Sequence, residues 1–210
     1  MNIGFLGLGK LGLPVALAVE NKGHKVFGYD ISDNVKSYVE TKKIPYKEEG
    51  TDKLLKKTKL QFVNVRELVS KSEIIFVPIQ TPHDKKYEGV TRIPNKRIDF
   101  DYTYLKNGMK TLSDQIKKQK KMTVVIIIST VLPGTIKKEI KPILNKYVKL
   151  CYNPFFIAMG TTINDFLNSE IILFGVDSKF AAKKAEKFYK TINKSPFFKT
   201  TIENAEMIKV

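Results

Sequence analysis

The first thirty residues constrain the fold of this chain more than any other segment. They predict a strand over residues 2–6, a helix over 10–22 and a second strand over 25–29, with a glycine-rich turn between the first strand and the helix. Asp30 follows the second strand. A strand, glycine turn, helix and strand in this order form a βαβ unit, and an acidic residue at its end is typical of units that bind a dinucleotide.

The turn over residues 7–12, here called the cofactor turn, gives each of its glycines a task. Gly7 permits the tight turn, Gly9 lets the backbone approach a pyrophosphate, and Gly12 lets the helix pack closely on the sheet. The pyrophosphate would lie on the amides at the helix start, where the helix dipole favours negative charge. Asp30 would accept hydrogen bonds from the adenosine ribose. Its carboxylate favours NAD over NADP, although Lys36 is close enough in sequence to weaken that preference.

The composition excludes several other classes of protein. No stretch reaches the ~18 consecutive apolar residues of a membrane span, and no basic segment leads an apolar run at the N-terminus, as a signal peptide would require. Cys151 is the only cysteine, so an internal disulfide is impossible and a reducing compartment is favoured. With His24 and His83 as the only histidines, we expect no metal site. We therefore expect a cytoplasmic protein without a membrane partner.

The formal charge of +16 raises the possibility of nucleic-acid binding. Only Arg66, Arg92 and Arg97 of the 37 basic residues are arginines, whereas arginine is favoured for reading guanine and phosphate. The lysines are spread along predicted helices, which is typical of solvated helix faces. We therefore expect no nucleic-acid partner and keep a basic nucleic-acid-binding protein as a remote alternative.

Strands and helices alternate through the rest of the chain. Strands are predicted over 60–63, 73–79, 122–128, 148–152, 170–176 and 196–200, and helices over 33–41, 51–57, 67–69, 102–119, 133–146, 179–191 and from 202 onward. Asp101 is the expected N-cap of the helix predicted over 102–119. The alternation predicts an α/β fold with a Rossmann-like, doubly wound parallel sheet. We expect one domain over residues 1–200 and, over 201–210, the start of a truncated inter-domain linker helix.

Three segments follow predicted strands, at the sheet edge where ligands bind in open α/β folds. The first contains Thr81 and Pro82; the second, over 129–135, contains two hydroxyls and a Pro-Gly helix start with free amides; the third runs over 153–160. Each alone is compatible with ordinary turn chemistry. Their joint occurrence after the cofactor turn favours a ligand site.

Together these motifs resemble the N-terminal region of the UDP-glucose/GDP-mannose dehydrogenase family, the nucleotide-sugar 6-dehydrogenases. The resemblance covers essentially all 210 residues and rests on the cofactor turn, Thr81-Pro82, residues 129–135 and residues 153–160. It implies oxidation of the C6 alcohol of a UDP- or GDP-sugar to a carboxylate with two NAD⁺. Such a role belongs to polysaccharide biosynthesis.

The resemblance also implies roles for individual residues. Those expected to contact NAD are Gly7, Gly9, Lys10, Leu11, Gly12, Asp30, Thr81 and Thr130. Thr81 and Thr130 would lie near the nicotinamide ribose, and Thr130 near the reacting carbon, which makes it the candidate catalytic residue. The nucleotide sugar would be lined by residues 155–160, here called the substrate segment: Phe155, Phe156, Ile157, Ala158, Met159 and Gly160.

The chain departs from the family pattern in two ways. The family's glutamate after Asn-Pro is replaced by Phe155, whose ring can neither accept a proton nor orient water. The family's nucleophilic cysteine and catalytic lysine lie, on this alignment, beyond Val210. Cys151 sits in an apolar strand and is no substitute, and Lys209 receives no role.

These departures leave two main hypotheses open. The first is the NAD-binding domain of a dehydrogenase that needs a C-terminal half, in cis or in trans, and dimerises when complete. The second is a non-catalytic module that binds NAD or a nucleotide sugar.

Overall fold

The fold is an eight-stranded sheet covered by helices on both faces, as seen in a computed structural model that describes residues 1–90 and 92–210. The strands are β1 (Asn2–Leu6), β2 (Lys25–Tyr29), β3 (Gln61–Phe62), β4 (Ile74–Val77), β5 (Thr123–Ile127), β6 (Val148–Tyr152), β7 (Ile172–Val176) and β8 (Phe197–Thr200). Their order is β3-β2-β1-β4-β5-β6-β7-β8. This order confirms the predicted Rossmann-like α/β fold.

In the part of the chain that the structure describes, eight α-helices connect or follow the strands. They are α1 (Gly12–Asn21), α2 (Asp33–Thr41), α3 (Thr51–Lys57), α4 (Val65–Lys71), α5 (Thr103–Gln119), α6 (Thr162–Leu167), α7 (Lys179–Tyr189) and α8 (Ile202–Lys209). Among the described residues, no helix combines the length and apolarity that a membrane crossing requires. The same residues contain no group of three His, Cys, Asp or Glu side chains placed to hold a metal ion.

The core lies on both faces of the sheet. Every residue of β4 and β5 is buried, which agrees with their nearly unbroken apolar sequences. One face packs α1 and α7 against the sheet, and the other packs α4, α5 and α8. Ile202 and Ala205 of α8 belong to this second cluster, and the predicted division of the chain at residue 200 stays a prediction.

The sheet is parallel from β3 to β6, but β7 runs antiparallel to β6. The predicted parallel sheet therefore contains one antiparallel pair, β6 with β7. The connection between β6 and β7 contains only the six-residue α6 and does not cross a face of the sheet back to the amino ends of the strands. The chain consequently stays at the carboxyl edge of β6 and enters β7 from there.

Three local predictions also differ from the structure. A continuous helix over 133–146 is replaced by a π-helical turn, Ile136–Ile140, and a 3₁₀ turn, Lys141–Ile143, because Pro142 lacks the amide that an α-helix would need. The N-cap of α5 is Tyr102 rather than Asp101, although the Asp101 carboxylate accepts a 2.8 Å bond from the Thr103 amide. The sequence did not predict α6.

Parallel pairing brings the carboxyl ends of β1, β4, β5 and β6 to one edge of the sheet. The cofactor turn, Thr81, Thr130 and the substrate segment all follow these strands. The fold therefore gathers the predicted ligand residues at that edge. The chain that follows β4, over residues 80–98, also begins there, and Thr91 within it lies outside the described residues.

Candidate functional site

The cofactor turn is built by backbone geometry and by packing beneath it. Gly7 has a φ of +111°, in the region that favours glycine, and its amide donates to the Tyr29 carbonyl at 2.8 Å. The Leu8 side chain is fully buried and lies directly over Gly28, where an added Cβ would come within 2.4 Å of Leu8 Cδ1. The turn is thus anchored to β2, so that its outer residues face solvent in a fixed conformation.

Glycine at position 12 serves packing within the protein, whereas glycine at position 9 leaves open space above the turn. A Cβ on Gly12 would lie 2.4 Å from the Gly7 carbonyl oxygen and 2.8 Å from Pro78 Cγ, so close helix–sheet packing excludes a side chain there. A Cβ on Gly9 would meet nothing within 4 Å. The protein itself therefore does not need glycine at position 9, and the open space above it fits the close approach of a ligand.

The start of α1 is suited to an anion. Its N-cap, Leu11, offers no side-chain hydrogen bond, and its first turn contains no acidic residue. Within the described part of the chain, the amides of Lys10, Leu11 and Gly12 donate to no protein acceptor. Free amides at the positive end of a helix are what a pyrophosphate would engage, so this end of α1 fits NAD.

Asp30 is oriented by the turn that it serves. Its Oδ2 accepts the Leu8 amide at 2.7 Å, and its Oδ1 accepts the Ser32 amide at 2.9 Å. These two bonds hold the half-buried carboxylate at the end of β2, beside the cofactor turn. A carboxylate oxygen accepts more than one hydrogen bond, so both oxygens retain capacity for ribose hydroxyls.

Thr81 and Thr130 meet across the ends of β4 and β5. The Thr81 hydroxyl donates to the Thr130 carbonyl at 2.6 Å, so the two predicted nicotinamide-side residues share one hydrogen bond. The Thr130 hydroxyl has no hydrogen-bond partner among the described residues, and the residue is half-buried. Ser129, in contrast, is buried and donates to the Val77 carbonyl at 3.2 Å, which makes it structural.

The amides that follow Pro133 are not free, contrary to the prediction. Glu206 of α8 is fully buried, and its carboxylate accepts the Gly134 amide at 2.7 Å and the Ile136 amide at 2.8 Å. Burial raises the pKa of Glu206, an effect opposed by the two amides. The sequence reasoning missed this because Glu206 lies 70 residues or more from its partners.

The substrate segment is irregular, and side chains from elsewhere hold its backbone. Asp165 accepts the Ala158 amide at 3.0 Å, and Glu48 accepts the Gly160 amide at 2.9 Å. Within the segment, Phe156 and Met159 are the exposed large apolar residues, at 43% and 63%. The segment therefore offers apolar side chains and backbone groups, and no carboxylate, at the sheet edge.

Phe155 points into the core rather than toward solvent. Its side chain is 8% exposed, and its ring lies 5.2 Å, centroid to centroid, from that of Phe166. Phe166 in turn contacts Tyr189, whose hydroxyl donates to the Asn153 side-chain oxygen. The position where the family has an acidic group is therefore part of an aromatic cluster.

Lys209 lies against the substrate segment, which the sequence reasoning did not anticipate. Its Nζ donates to the Phe155 carbonyl at 2.8 Å and sits 5.3 Å from the centre of the Phe156 ring. Burial lowers the pKa of the Lys209 amine. A lysine placed one turn after Ala205 on the buried face of α8 was the available signal. Cys151, as expected of an apolar strand, is fully buried, and burial raises the pKa of its thiol.

Comparison with known proteins gives the same family from a family model and from individual relatives. Residues 1–193 match the UDP-glucose/GDP-mannose dehydrogenase family, NAD binding domain. The GDP-mannose 6-dehydrogenase of Pseudomonas aeruginosa is 26% identical over 100% of this chain and 48% of its own length. The UDP-glucose 6-dehydrogenase of Bacillus subtilis is 30% identical over 99% of this chain and 44% of its own length.

Solved structures of dehydrogenases have the same fold as this chain. A ternary complex of GDP-mannose dehydrogenase from Pseudomonas aeruginosa superposes with a TM-score of 0.87 at 26% identity, covering 100% of this chain and 48% of that one. The UDP-D-ManNAc dehydrogenase of Pyrococcus horikoshii gives a TM-score of 0.81 at 26% identity, with 100% and 49% covered. The chain spans about half the length of these relatives.

Proposed function

We propose that this chain, which belongs to the UDP-glucose/GDP-mannose dehydrogenase family and is its NAD-binding domain, holds NAD⁺ while the C6 alcohol of a nucleotide sugar is oxidised. The observation that carries the proposal is the placement of Asp30 and the open Gly9 on the same sheet edge as Thr130 and the substrate segment. The residues proposed to bind the cofactor and the substrate thus lie at the same edge of the sheet.

The cofactor would be held along the cofactor turn. The free amides at the start of α1 would receive the pyrophosphate, Asp30 the adenosine ribose, and Thr81 and Thr130 the nicotinamide end. Lys10 and Leu11 contribute their backbone at the middle of the turn. Like Gly9, they would let the dinucleotide lie close to the main chain.

The substrate side would be formed by the substrate segment together with Thr130. Oxidation of an alcohol carbon removes a hydride, which NAD⁺ accepts when bound, and a proton, which a protein group or water has to take. The carboxylates of Glu48 and Asp165 accept backbone amides of the segment, and Lys209 is the basic side chain placed against it. A lowered pKa leaves more of a lysine unprotonated, and so able to accept a proton, at neutral pH. Thr130 would hydrogen-bond the reacting hydroxyl through its unengaged side chain.

The buried Phe155 supports a second candidate function, a module that binds NAD⁺ and a nucleotide sugar without turnover. Its ring occupies an apolar site next to Phe166, so no acid or base acts from position 155. Under this alternative, the cofactor turn and the substrate segment keep their binding roles while oxidation does not occur.

Calorimetry followed by NADH absorbance tests both candidates. The chain should release or absorb heat with NAD⁺ in the micromolar to millimolar range. Adding UDP-glucose or GDP-mannose together with a C-terminal half of a relative should then produce NADH. Binding of NAD⁺ without NADH, also when a C-terminal half of a relative is supplied, would favour the non-catalytic module. No heat with millimolar NAD⁺ would contradict both.

The remaining elements of the proposal rest on the family resemblance, on the relatives' length and on composition. Turnover would require a C-terminal half, in cis or in trans, and the complete protein would work as a homodimer in the cytoplasm, in polysaccharide biosynthesis. The lone Cys151 supports a reducing compartment. Size-exclusion chromatography with light scattering tests the homodimer.

A further inference from the structure

Glu48 links the N-terminal half of the chain to the substrate segment. It lies between α2 and α3, and its carboxylate is buried, with the residue 8% exposed. One oxygen accepts the Gly160 amide at 2.9 Å, and the other accepts the Thr162 amide at 2.7 Å. The Glu49 amide donates back to the Gly160 carbonyl at 2.9 Å. Three hydrogen bonds therefore join two segments more than 100 residues apart in sequence.

These bonds hold the end of the substrate segment, which belongs to neither a helix nor a strand. The chain between β6 and α6 is not paired in the sheet, and Gly160 has a φ of +104°. An irregular backbone keeps one conformation only when surrounding groups determine it. Bonds to the Gly160 amide, the Gly160 carbonyl and the Thr162 amide fix the end of the segment, while the Phe155 carbonyl is fixed by Lys209 at its beginning.

The source of the carboxylate distinguishes this tie from the others. Asp165, on α6, lies seven residues from the Ala158 amide that it holds, so it can order the segment only relative to α6. Glu48 instead follows α2, which begins just after Asp30. The tie therefore sets the position of the substrate segment relative to the part of the chain that holds the adenosine ribose.

A carboxylate is well matched to this task. Hydrogen bonds from amides to an ionised acceptor are roughly twice as strong as neutral ones, and a buried pair of amides left without acceptors would be costly. The amide of glutamine could accept only one of the two bonds, and its NH₂ group would face the other backbone N–H. Loss of one bond should therefore let the end of the segment move without removing any apolar packing.

We propose that Glu48 is a positioning residue for the nucleotide sugar: it holds residues 155–160 in the conformation that binds substrate, at a fixed place relative to the cofactor turn. This inference rests on the proposed function, because it assigns the substrate segment to nucleotide-sugar binding. Among the described residues, Glu48 makes no hydrogen bond to the cofactor turn or to Thr130, so cofactor binding should not depend on it.

The test compares Glu48→Gln with Glu20→Gln in the full chain. Glu20 is a matched control, since its carboxylate also ties a helix to a distant backbone amide, that of Lys59 at 2.8 Å, but at the opposite edge of the sheet. Binding of NAD⁺, and then of UDP-glucose and GDP-mannose in the presence of NAD⁺, is measured by calorimetry. Hydrogen exchange of residues 155–162 reports the order of the segment.

Glu48→Gln should weaken binding of the nucleotide sugar by about tenfold, which corresponds to one lost charge-assisted bond, and should speed exchange at residues 155–162. Affinity for NAD⁺ should change by less than about twofold, no more than the loss of one weak surface contact would cause. Glu20→Gln should change neither affinity. If Glu48→Gln does not fold, Glu48→Asp, which keeps the charge but shortens its reach, takes its place with the same expectations.

The outcomes separate this inference from the proposed function. A wild-type chain that binds a nucleotide sugar, with a Glu48 variant that binds it equally well, would overturn the positioning role and leave the proposed function intact. Equal weakening by the Glu20 variant would likewise overturn it, because the effect would then be one of general stability. A wild-type chain that binds NAD⁺ but neither probe would overturn the substrate role and this inference with it.

Discussion

The cofactor turn and the substrate segment lie at the same sheet edge, but they are held in opposite ways. The turn is stabilised by nearby sequence: Gly7 bonds Tyr29, and Leu8 bonds Asp30, 22 residues away. The substrate segment depends on Glu48 and Lys209, which are 112 and 54 residues from the groups they hold. The comparison shows that one site can combine a locally encoded half with a half that exists only after the chain has folded.

The largest expected effect comes from removing the aromatic anchor of the substrate segment. Phe155→Ala should reduce the free energy of unfolding by about 3 kcal/mol, because it empties a buried site that packs on Phe166. Phe156→Ala, at a 43% exposed neighbour, should cost less than about 1 kcal/mol. Urea denaturation measures both. Equal costs would contradict the placement of Phe155 in the core.

A second pair of variants separates packing from ligand space in the cofactor turn. Gly12→Ala should destabilise the fold by about 2 kcal/mol, since its Cβ would clash with the Gly7 carbonyl and Pro78. Gly9→Ala should leave the thermal midpoint unchanged and still weaken NAD⁺ binding, because its Cβ would enter open space. Calorimetry with NAD⁺ and thermal unfolding give the two readouts. A Gly9 variant with undiminished affinity would remove the proposed approach of the pyrophosphate.

A third prediction concerns Asp30 and the choice of dinucleotide. Asp30→Ala should weaken NAD⁺ by about tenfold and bring the affinities for NAD⁺ and NADP⁺ closer together, because the carboxylate that repels a 2′-phosphate is gone. Asp30→Asn is the control, since it retains a partner for one of the Leu8 and Ser32 amides. An unchanged ratio of the two affinities in the Ala variant would exclude this role.

The smallest expected effect is a pH dependence at Glu206, the side chain that holds the loop after Thr130. Its folded-state pKa is raised, so its contribution to stability is full below its ordinary value of 4.5 and is lost as pH rises through the raised value. The stability of the wild type relative to Glu206→Gln should therefore fall, by about 1 kcal/mol or less, between pH 4 and pH 7.

Urea titrations at several pH values give this difference. The same substitution at Glu67, a half-buried residue in the capping box of α4, is the matched control. A difference between wild type and Glu206→Gln that is constant with pH would contradict the raised pKa.

Much of the fold was predictable, since its signals are local. The strand β6 matched its predicted bounds, and the buried strand β5 was predicted to within one residue at each end. The π-helical turn at Ile136–Ile140 was not predicted; it lies directly before the 3₁₀ turn that contains Pro142, which interrupts an otherwise helical sequence. The antiparallel direction of β7 was not predicted, because it depends on whether the connection from β6 crosses the sheet or stays at the carboxyl edge.

The sequence by itself determined the βαβ unit, the cofactor turn and Asp30, because their partners lie within about one supersecondary unit of each other. Only the tertiary structure decided that Glu206 would occupy the amides after Pro133, that Phe155 would enter an aromatic cluster, and that Glu48 and Lys209 would hold the substrate segment. The Phe155–Phe166 contact spans 11 residues, and the contacts of Glu206, Glu48 and Lys209 each join groups at least 54 residues apart. Such pairings depend on how sheet order and helix packing place distant segments, which hydrophobic periodicity and turn motifs do not specify.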